Sequence, residues 1–189
     1  MEDYKILPKL AKLSILEEFE GKQLINKDEW IEKYPWLAEK RATFVTLKMK
    51  NKPRGSNLRG CIGSILPYRP FIDDVIANAK AAAFEDPRFP PLTPQEFEEV
   101  EIDVSVLTIP EKLEYEDPAD LKRKIRPGVD GVILQLANHQ ATFLPSVWEE
   151  LPNIDIFFAH LCLKAGLPGD CLAYHPTIYT YQAIEVKED

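Results

Sequence analysis

The segment Leu58–Gly63, LRGCIG, carries the residue types in this chain that could do chemistry. We predict a strand here, and because side chains alternate along a strand, Arg59 and Cys61 would share one face about 6.6 Å apart. A fixed cation beside a thiol favours the thiolate, so the pair could hold a partly ionised cysteine. Gly60 and Gly63 leave bare backbone that another group can approach. A buried strand with a small sulfur side chain explains the same residues structurally, since free cysteine is among the most buried residue types.

A second candidate segment, Asp86–Pro91, is a proline-rich bend that follows a predicted helix. Prolines fix the backbone, so Asp86 and Arg88 would be presented with little conformational freedom. In the functional interpretation Arg88 reaches the face that carries Arg59 and Cys61. In the structural interpretation Asp86 and Arg88 pair locally or cap a helix end. The sequence leaves both interpretations open.

The elements around these segments mix strands and helices without a regular βαβ repeat. Residues 43–50 and 58–65 form a predicted hairpin around a polar loop with proline and glycine. The apolar stripe of residues 71–85 predicts a helix. Further predicted helices cover 8–20, a segment opening at Thr93, 119–125, a short one from Ser146, and 153–165, and further strands cover 101–108, 131–138, 141–144 and 177–187. Recurrent hairpins favour an α+β fold with antiparallel sheet and flanking helices.

Length and composition indicate one globular domain spanning 1–189, with two lobes in one compact domain. Hydrophobic residues make up 45% and charged residues 29%, which is ordinary for a soluble protein. No apolar run approaches the roughly 20 residues that span a bilayer, and residues 1–10 lack a signal-peptide pattern. The three cysteines, at 61, 162 and 171, are an odd number without a close pair. We therefore expect no disulfide and a reducing, cytoplasmic location.

The net charge of −8 and the isoelectric point near 5.0 work against non-specific binding of nucleic acid. That affinity comes largely from neutralising phosphates, so we expect dissociation constants on the order of 10⁻⁴ M or weaker for generic duplexes. The basic cluster at 122–126 lies on a predicted helix and is typical of a solvated face. A local basic pocket could still bind a small anion.

Several familiar cofactor motifs are missing from the sequence. It contains no Walker A pattern, no GxGxxG, no HExxH, no CxxC and no CxxxCxxC, so we expect no cofactor. The histidines, at 139, 160 and 175, are scattered, and their spacing neither supports nor excludes a three-ligand metal site. Cys61 with a distant histidine would make a thiol nucleophile and its base, but no local signature supports that pairing.

LRGCIG followed by AAAFEDPRFPPLTPQE at 81–96 resembles the signature of the family named after the AMME chromosomal region gene 1 protein. Its prokaryotic members are called AmmeMemoRadiSam system protein A. The resemblance covers roughly residues 40–182 and includes FVTL at 44–47, SVL at 105–107, PGVDGVIL at 127–134, ATFLPSVWEELP at 141–152 and HLCLKAGLP at 160–168. It implies a two-lobed α+β domain with the cysteine motif near the junction of the lobes. It also implies association with a Memo-type protein and a radical-SAM protein, but no defined reaction.

Two hypotheses about function follow. In the first, a pocket at the two segments binds or processes a small anionic ligand, with Cys61 as the catalytic candidate and ligand contacts from Arg59, Gly60, Gly63, Asp86 and Arg88. In the second, the chain is a non-catalytic adaptor, and the LRGCIG face docks a partner protein. A role in transcription, repair or translation, which has been attached to the resembled family, fits the acidic charge poorly.

Overall fold

The computed structural model describes residues 3–188, and the chain divides into two compact units. The first unit runs to Leu107 and takes up the chain again from Ile184, while the second comprises Thr108–Ala183. One domain over 1–189 stays a prediction, and residues 1, 2 and 189 lie outside the described part of the chain.

The first unit begins with helices and continues with a strand hairpin. Its elements are α1 (Leu7–Glu20), α2 (Lys27–Lys33), β1 (Ala42–Met49), β2 (Leu58–Gly63), α3 (Phe71–Phe84), α4 (Pro94–Glu98) and β3 (Val100–Leu107), with short 3-10 helices at Tyr4–Ile6 and Pro35–Ala38. Gly21 ends α1 in the left-handed region, with φ 66°. Thr93 and Glu96 form a capping box at the start of α4, as the sequence predicts.

The second unit contains β4 (Glu111–Lys112), α5 (Pro118–Lys124), β5 (Gly131–Leu136), β6 (His139–Phe143), α6 (Ile154–Lys164) and β7 (Thr177–Tyr181), with 3-10 helices at Pro145–Glu149 and Cys171–Tyr174. The chain then enters β8 (Ala183–Lys187), which belongs to the sheet of the first unit. Asp117 and Asn153 cap α5 and α6 with their side chains. Within residues 3–188, no helix is both long and apolar enough to cross a membrane.

Each unit is built on one four-stranded sheet. The strand orders are β2-β1-β3-β8 and β4-β7-β5-β6, and β1 pairs antiparallel with both β2 and β3. One face of the first sheet packs its apolar side chains against α1 and α3, and this core includes Leu10, Val45, Leu47, Val75, Ala79, Ile102 and Val104. The predicted α+β fold with antiparallel hairpins is confirmed.

Two predicted elements are wrong in detail. Residues 177–187 form two strands in different sheets, because Gln182 leaves the strand and pairs its backbone with Thr108 at 2.8 and 2.9 Å. The 3-10 helix at Pro145–Glu149 has Leu144 at its N-cap, and Ser146 lies inside it without capping it. The composition of a segment reveals neither a change of partner strand nor the residue at which a short helix begins.

The expectation of no disulfide is also wrong, because Cys162 and Cys171 are bonded. Gly166 ends α6 in the left-handed region, and the Cys171 N–H then bonds the Pro168 carbonyl. This reversal brings the two Cα atoms to 5.8 Å across a separation of nine residues. Both cysteines are fully buried in the core of the second unit.

The buried carboxylate of Asp74 ties α3 to the strand hairpin. It accepts hydrogen bonds from the Thr43 backbone and hydroxyl at 2.8 and 2.6 Å, from the Ser64 hydroxyl at 2.7 Å, from Arg69 Nε at 2.7 Å and from Asn78 Nδ2 at 3.0 Å. Thr43 lies near the start of β1 and Ser64 directly follows β2. One carboxylate therefore holds the helix against both strands, including the end of the LRGCIG segment.

We expect Asp74→Ala to lower the free energy of unfolding by about 3–5 kcal/mol, because buried donors and Arg69 lose their acceptor. The control is Asp73→Ala, since Asp73 forms a partly exposed pair with Lys27 and should contribute at most about 1 kcal/mol. Urea unfolding followed by circular dichroism measures both variants. Equal losses in the two variants would contradict the anchoring role of Asp74.

Candidate functional site

The candidate site lies along β2, which is an edge strand of the first sheet. The backbone N–H of Cys61 donates to Asp86 Oδ2 at 3.0 Å. The Asp86 carboxylate therefore satisfies an edge N–H group that would otherwise be open to another strand. Asp86 itself is buried, so this contact fixes the proline-rich bend against the cysteine segment.

Arg88, two residues further along the bend, binds the same carboxylate. Its Nε donates to Asp86 Oδ1 at 3.0 Å and its Nη2 to Oδ2 at 2.8 Å, a two-pronged arrangement that strengthens an arginine–carboxylate pair. The Arg88 hydrogen bond is the main reason that the pKa of Asp86 falls to about 2; burial opposes the fall, and the Cys61 and Arg88 backbone N–H groups assist it. Asp86 is thus ionised at neutral pH, and the local pairing that the sequence left open is present.

The charge of Arg88 also acts on Cys61. The pKa of Arg88 is raised, first by its hydrogen bond to Asp86 and to a smaller extent by the negative form of the Cys61 thiol. The Arg88 side chain is 55% exposed, so part of its guanidinium faces solvent. The structure therefore brings Cys61, Asp86 and Arg88 together. That they bind or process a ligand stays a prediction.

Arg59, which the sequence predicts to stand beside the Cys61 thiol, has its charge paired with Glu96. The register of β1 with β2 shifts from Leu47↔Gly60 to Lys48↔Leu58, which makes Arg59 the extra residue of a β-bulge. A bulge redirects the side chain of its extra residue, and Arg59 is only 5% exposed. Arg88 is the arginine that shares a carboxylate with the Cys61 backbone.

The partners of Arg59 lie on the far part of the bend. Its Nε donates to Glu96 at 2.7 Å, and its Nη2 donates to Glu96 at 3.1 Å and to the Pro90 carbonyl at 2.7 Å. The Arg59 hydrogen bond is the main reason that the pKa of Glu96 falls to about 2. The ring of Phe89 lies 5.6 Å from the Arg59 guanidinium and 5.5 Å from that of Arg88. Arg59 therefore holds the bend in place beneath the site.

At Gly60 and Gly63, other atoms of the chain occupy the space that a Cβ would take. A Cβ added at Gly60 would lie 2.1 Å from the carbonyl oxygen of Ala82 in α3, and one at Gly63 would lie 2.2 Å from the ring of Phe44. The close approach that bare backbone predicts is real, but the approaching groups belong to the chain itself. Ligand binding by Gly60 and Gly63 stays a prediction.

Three side chains that the sequence analysis did not identify, Thr46, Lys48 and Asp103, lie on the same sheet face as Cys61. The Cys61 sulfur lies 3.2 Å from the hydroxyl of Thr46, which is directly opposite on β1. Lys48, two residues along, donates to Asp103 Oδ2 of β3 at 2.9 Å. Burial lowers the pKa of Lys48, but the hydrogen bond and charge of Asp103 outweigh it and raise the pKa. In TFVTLKMK and EIDVSV, polar residues alternate with core residues. This alternation could have predicted that the polar side chains share one face of the sheet.

A cavity of about 470 Å³ elsewhere in the first unit is separate from this site. It lies beside the C-terminal end of α1, and its lining includes Glu17, Lys22, Lys27 and Lys80 but none of the predicted site residues. Lys80 pairs with Glu17 at 3.3 Å within this lining, and Lys27 pairs with Asp73 outside it at 2.6 Å, so both lysines already have carboxylate partners. This cavity and the chemically distinctive residues of the β2 edge therefore do not coincide. In the described part of the chain, no group of three or more His, Cys, Asp or Glu could hold a metal ion.

Fold and site together define an α+β protein with two antiparallel sheets and a cysteine on a sheet edge that a carboxylate closes. The AMMECR1 family model matches residues 8–186, and the chain belongs to this family. A protein of Methanothermobacter thermautotrophicus is 41% identical over 192 residues, covering 100% of this chain and 95% of that protein. A protein of Methanopyrus kandleri is 40% identical over 196 residues, covering 100% and 90%. The crystal structure of an uncharacterized protein from Pyrococcus horikoshii matches with a TM-score of 0.87 and 38% identity, covering 96% of this chain and 89% of that one.

We expect Asp86→Asn to reduce stability at pH 7 by about 1–2 kcal/mol, allowing for solvent around the exposed part of Arg88. Because the pKa of Asp86 is about 2 in the folded protein and 3.8 ordinarily, the stabilisation is present above pH 4. It should disappear as the pH falls from about 4 to about 2. Thermal unfolding of wild type and variant across this range measures the difference.

The control for this experiment is Asp170→Asn, since Asp170 is exposed and makes no side-chain cap bond. It should shift the melting temperature little at any pH. A wild-type advantage over Asp86→Asn that is the same at pH 7 and pH 2 would contradict the ionised Asp86 described above.

Proposed function

We propose that this protein is an accessory protein whose site at the β2 edge binds or processes a small anionic ligand, with Cys61 as the group that contacts it. The observation that carries the proposal is the Asp86 carboxylate, which holds both the Cys61 backbone at 3.0 Å and Arg88 at 2.8 Å. Cys61 is half-buried, and the carboxylate that binds its backbone also holds Arg88, whose side chain is 55% exposed. Reactive cysteines occupy such electropositive, partly exposed surroundings.

The charge balance of the site narrows the proposed ligand to one with a single anionic group. Arg59 is paired with Glu96, and Arg88 is paired with Asp86. Each pair cancels most of its own charge, so the attraction for an anion comes from the exposed part of Arg88. A carboxylate or a single phosphate matches this better than a polyphosphate, which needs several cations.

The partners are proposed because the family resemblance implies them, and the cytoplasmic location is proposed with them. No contact described above bears on either. We propose that the chain works with a Memo-type protein and a radical-SAM protein in the cytoplasm. The Cys162–Cys171 disulfide removes the argument from reduced cysteines, since disulfides are rare in cytosolic proteins outside hyperthermophiles. The proposed cytoplasmic location therefore depends on the proposed partners.

The alternative function is a non-catalytic adaptor with a docking surface at the LRGCIG face. The observation that favours it is the segment after β2, where Leu66 is 62% exposed and Tyr68 is 60% exposed. Large apolar side chains that face solvent next to an edge strand are typical of protein contacts. In this reading Cys61 and Arg88 contribute to the shape and charge of the surface.

The test is native mass spectrometry of the protein isolated with its partners from cells that make them. Wild type should carry a small-molecule mass, and Arg88→Ala and Cys61→Ser should lose it. Both variants should stay folded with a melting temperature lower by only a few degrees, because one lost kcal/mol lowers it by about 2–4 °C at this chain length. The control Arg123→Ala removes an exposed arginine of the second unit and should retain the mass.

Two other results have distinct meanings. Wild type that carries partner proteins but no small molecule, and loses the partners in Leu66→Ala or Tyr68→Ala, would establish the adaptor. Retention of both ligand and partners in stable Arg88→Ala and Cys61→Ser would remove these two residues from the site.

A further inference from the structure

Cys61 lies at one end of a polar row that crosses three strands of the first sheet. Cys61 is directly opposite Thr46, and Thr46 is directly opposite Asp103 on β3. Directly opposed residues of antiparallel strands project to the same face, and neighbouring strands are about 4.8 Å apart, so the row is roughly 10 Å long. Cys61, Thr46 and Lys48 are each half-buried, and Asp103 is 3% exposed at the other end.

The carboxylate of Asp103 has an acceptor that the described residues leave unused. Its Oδ2 accepts from Lys48 at 2.9 Å, whereas its buried Oδ1 has no hydrogen-bond donor among residues 3–188. An unpaired buried acceptor is destabilising, and folded proteins pair nearly all of them. The contrast within the same unit is clear, because Asp74 and Asp86 use both of their oxygens.

The charges along the row are arranged with opposite signs at its two ends. At the Cys61 end the cation is Arg88, which shares the Asp86 carboxylate with the Cys61 backbone. At the other end Lys48 faces Asp103 at 2.9 Å and Glu185 at 3.9 Å, with Glu101 opposite it on β3. Carboxylates therefore outnumber the cation there, and the raised pKa of Lys48 keeps it charged and unable to act as an amine nucleophile.

We propose that Thr46 and Asp103 form a second subsite, in which Asp103 Oδ1 accepts a hydrogen bond from an ammonium group of the ligand. The inference rests on the proposed function, because it assigns the other end of the same ligand. The ligand is then an extended small zwitterion, with its anionic group at Arg88, its middle along Cys61 and Thr46, and its ammonium group at Asp103. An ammonium group fits better than a neutral donor because of the local excess of carboxylates.

The test measures how well matched probes protect Cys61 from iodoacetamide. The probes are 8-aminooctanoate, which carries both charged ends, octanoate, which lacks the ammonium group, and octylamine, which lacks the carboxylate. Octanoate should slow labelling in wild type and lose this effect in Arg88→Ala. 8-Aminooctanoate should protect at about tenfold or more lower concentration than octanoate, as a charged hydrogen bond implies. Asp103→Asn should abolish that advantage, and Asp73→Asn, at a partly exposed carboxylate of the same unit, should keep it.

The outcomes separate the subsite from the proposed function. Equal protection by 8-aminooctanoate and octanoate in wild type overturns the Asp103 subsite and leaves the anionic site at Arg88 standing. An advantage of the zwitterion that survives in folded Asp103→Asn also overturns it. Protection by neither carboxylate overturns both proposals. If Asp103→Asn does not fold, the comparison of the three probes on wild type decides.

Discussion

The Asp86 carboxylate is the interaction on which the site depends. It accepts the Cys61 backbone N–H at 3.0 Å and the Arg88 guanidinium at 2.8 and 3.0 Å. One side chain thereby closes the edge of β2, fixes the bend and places a cation next to the thiol. Pro87 lies between Asp86 and Arg88 and restricts the backbone there. The Asp86–Arg88 pair therefore needs little further ordering. The buried negative charge of Asp86 thus both holds the backbone of β2 and fixes the position of the Arg88 cation.

Two further contacts hold the cysteine segment at its ends. Asp74 accepts a hydrogen bond from the Ser64 hydroxyl directly after β2, and Arg59 forms an ion pair with Glu96 near its start. Between them Gly60 allows the carbonyl of Ala82 in α3 to approach where any other side chain would collide. The thiol is therefore held by rigid elements, which is what a precise contact with a ligand or a partner requires.

Local patterns predicted much of this arrangement. The helices at α1 and α3, the hairpin of β1 and β2 and the capping box at Thr93 follow from spacing and from cap residues within a few positions. Proline stiffness correctly marked the bend that carries Asp86. These features are local because each depends on neighbours that the sequence itself places together.

The features that the sequence did not predict depend on contacts between distant segments. The bulge at Arg59 appears only when β2 is paired with β1, and Asp103 comes opposite Thr46 only when β3 pairs with the other side of β1. The Cys162–Cys171 bond depends on a chain reversal at Gly166, and Gln182 changes sheets without a change in composition. Register, reversal and partner choice are tertiary properties, and one sequence read alone carries little signal for them.

The most direct test of the account is the rate at which iodoacetamide labels Cys61 at neutral pH in unreduced protein. Because Cys162 and Cys171 are bonded to each other, the bulk rate reports on Cys61 alone. The account predicts several-fold slower labelling in Arg88→Ala, since the cation that favours the thiolate is lost, and an unchanged rate in Arg123→Ala. Equal rates in wild type and folded Arg88→Ala would contradict the claim that the Asp86–Arg88 pair controls the thiol.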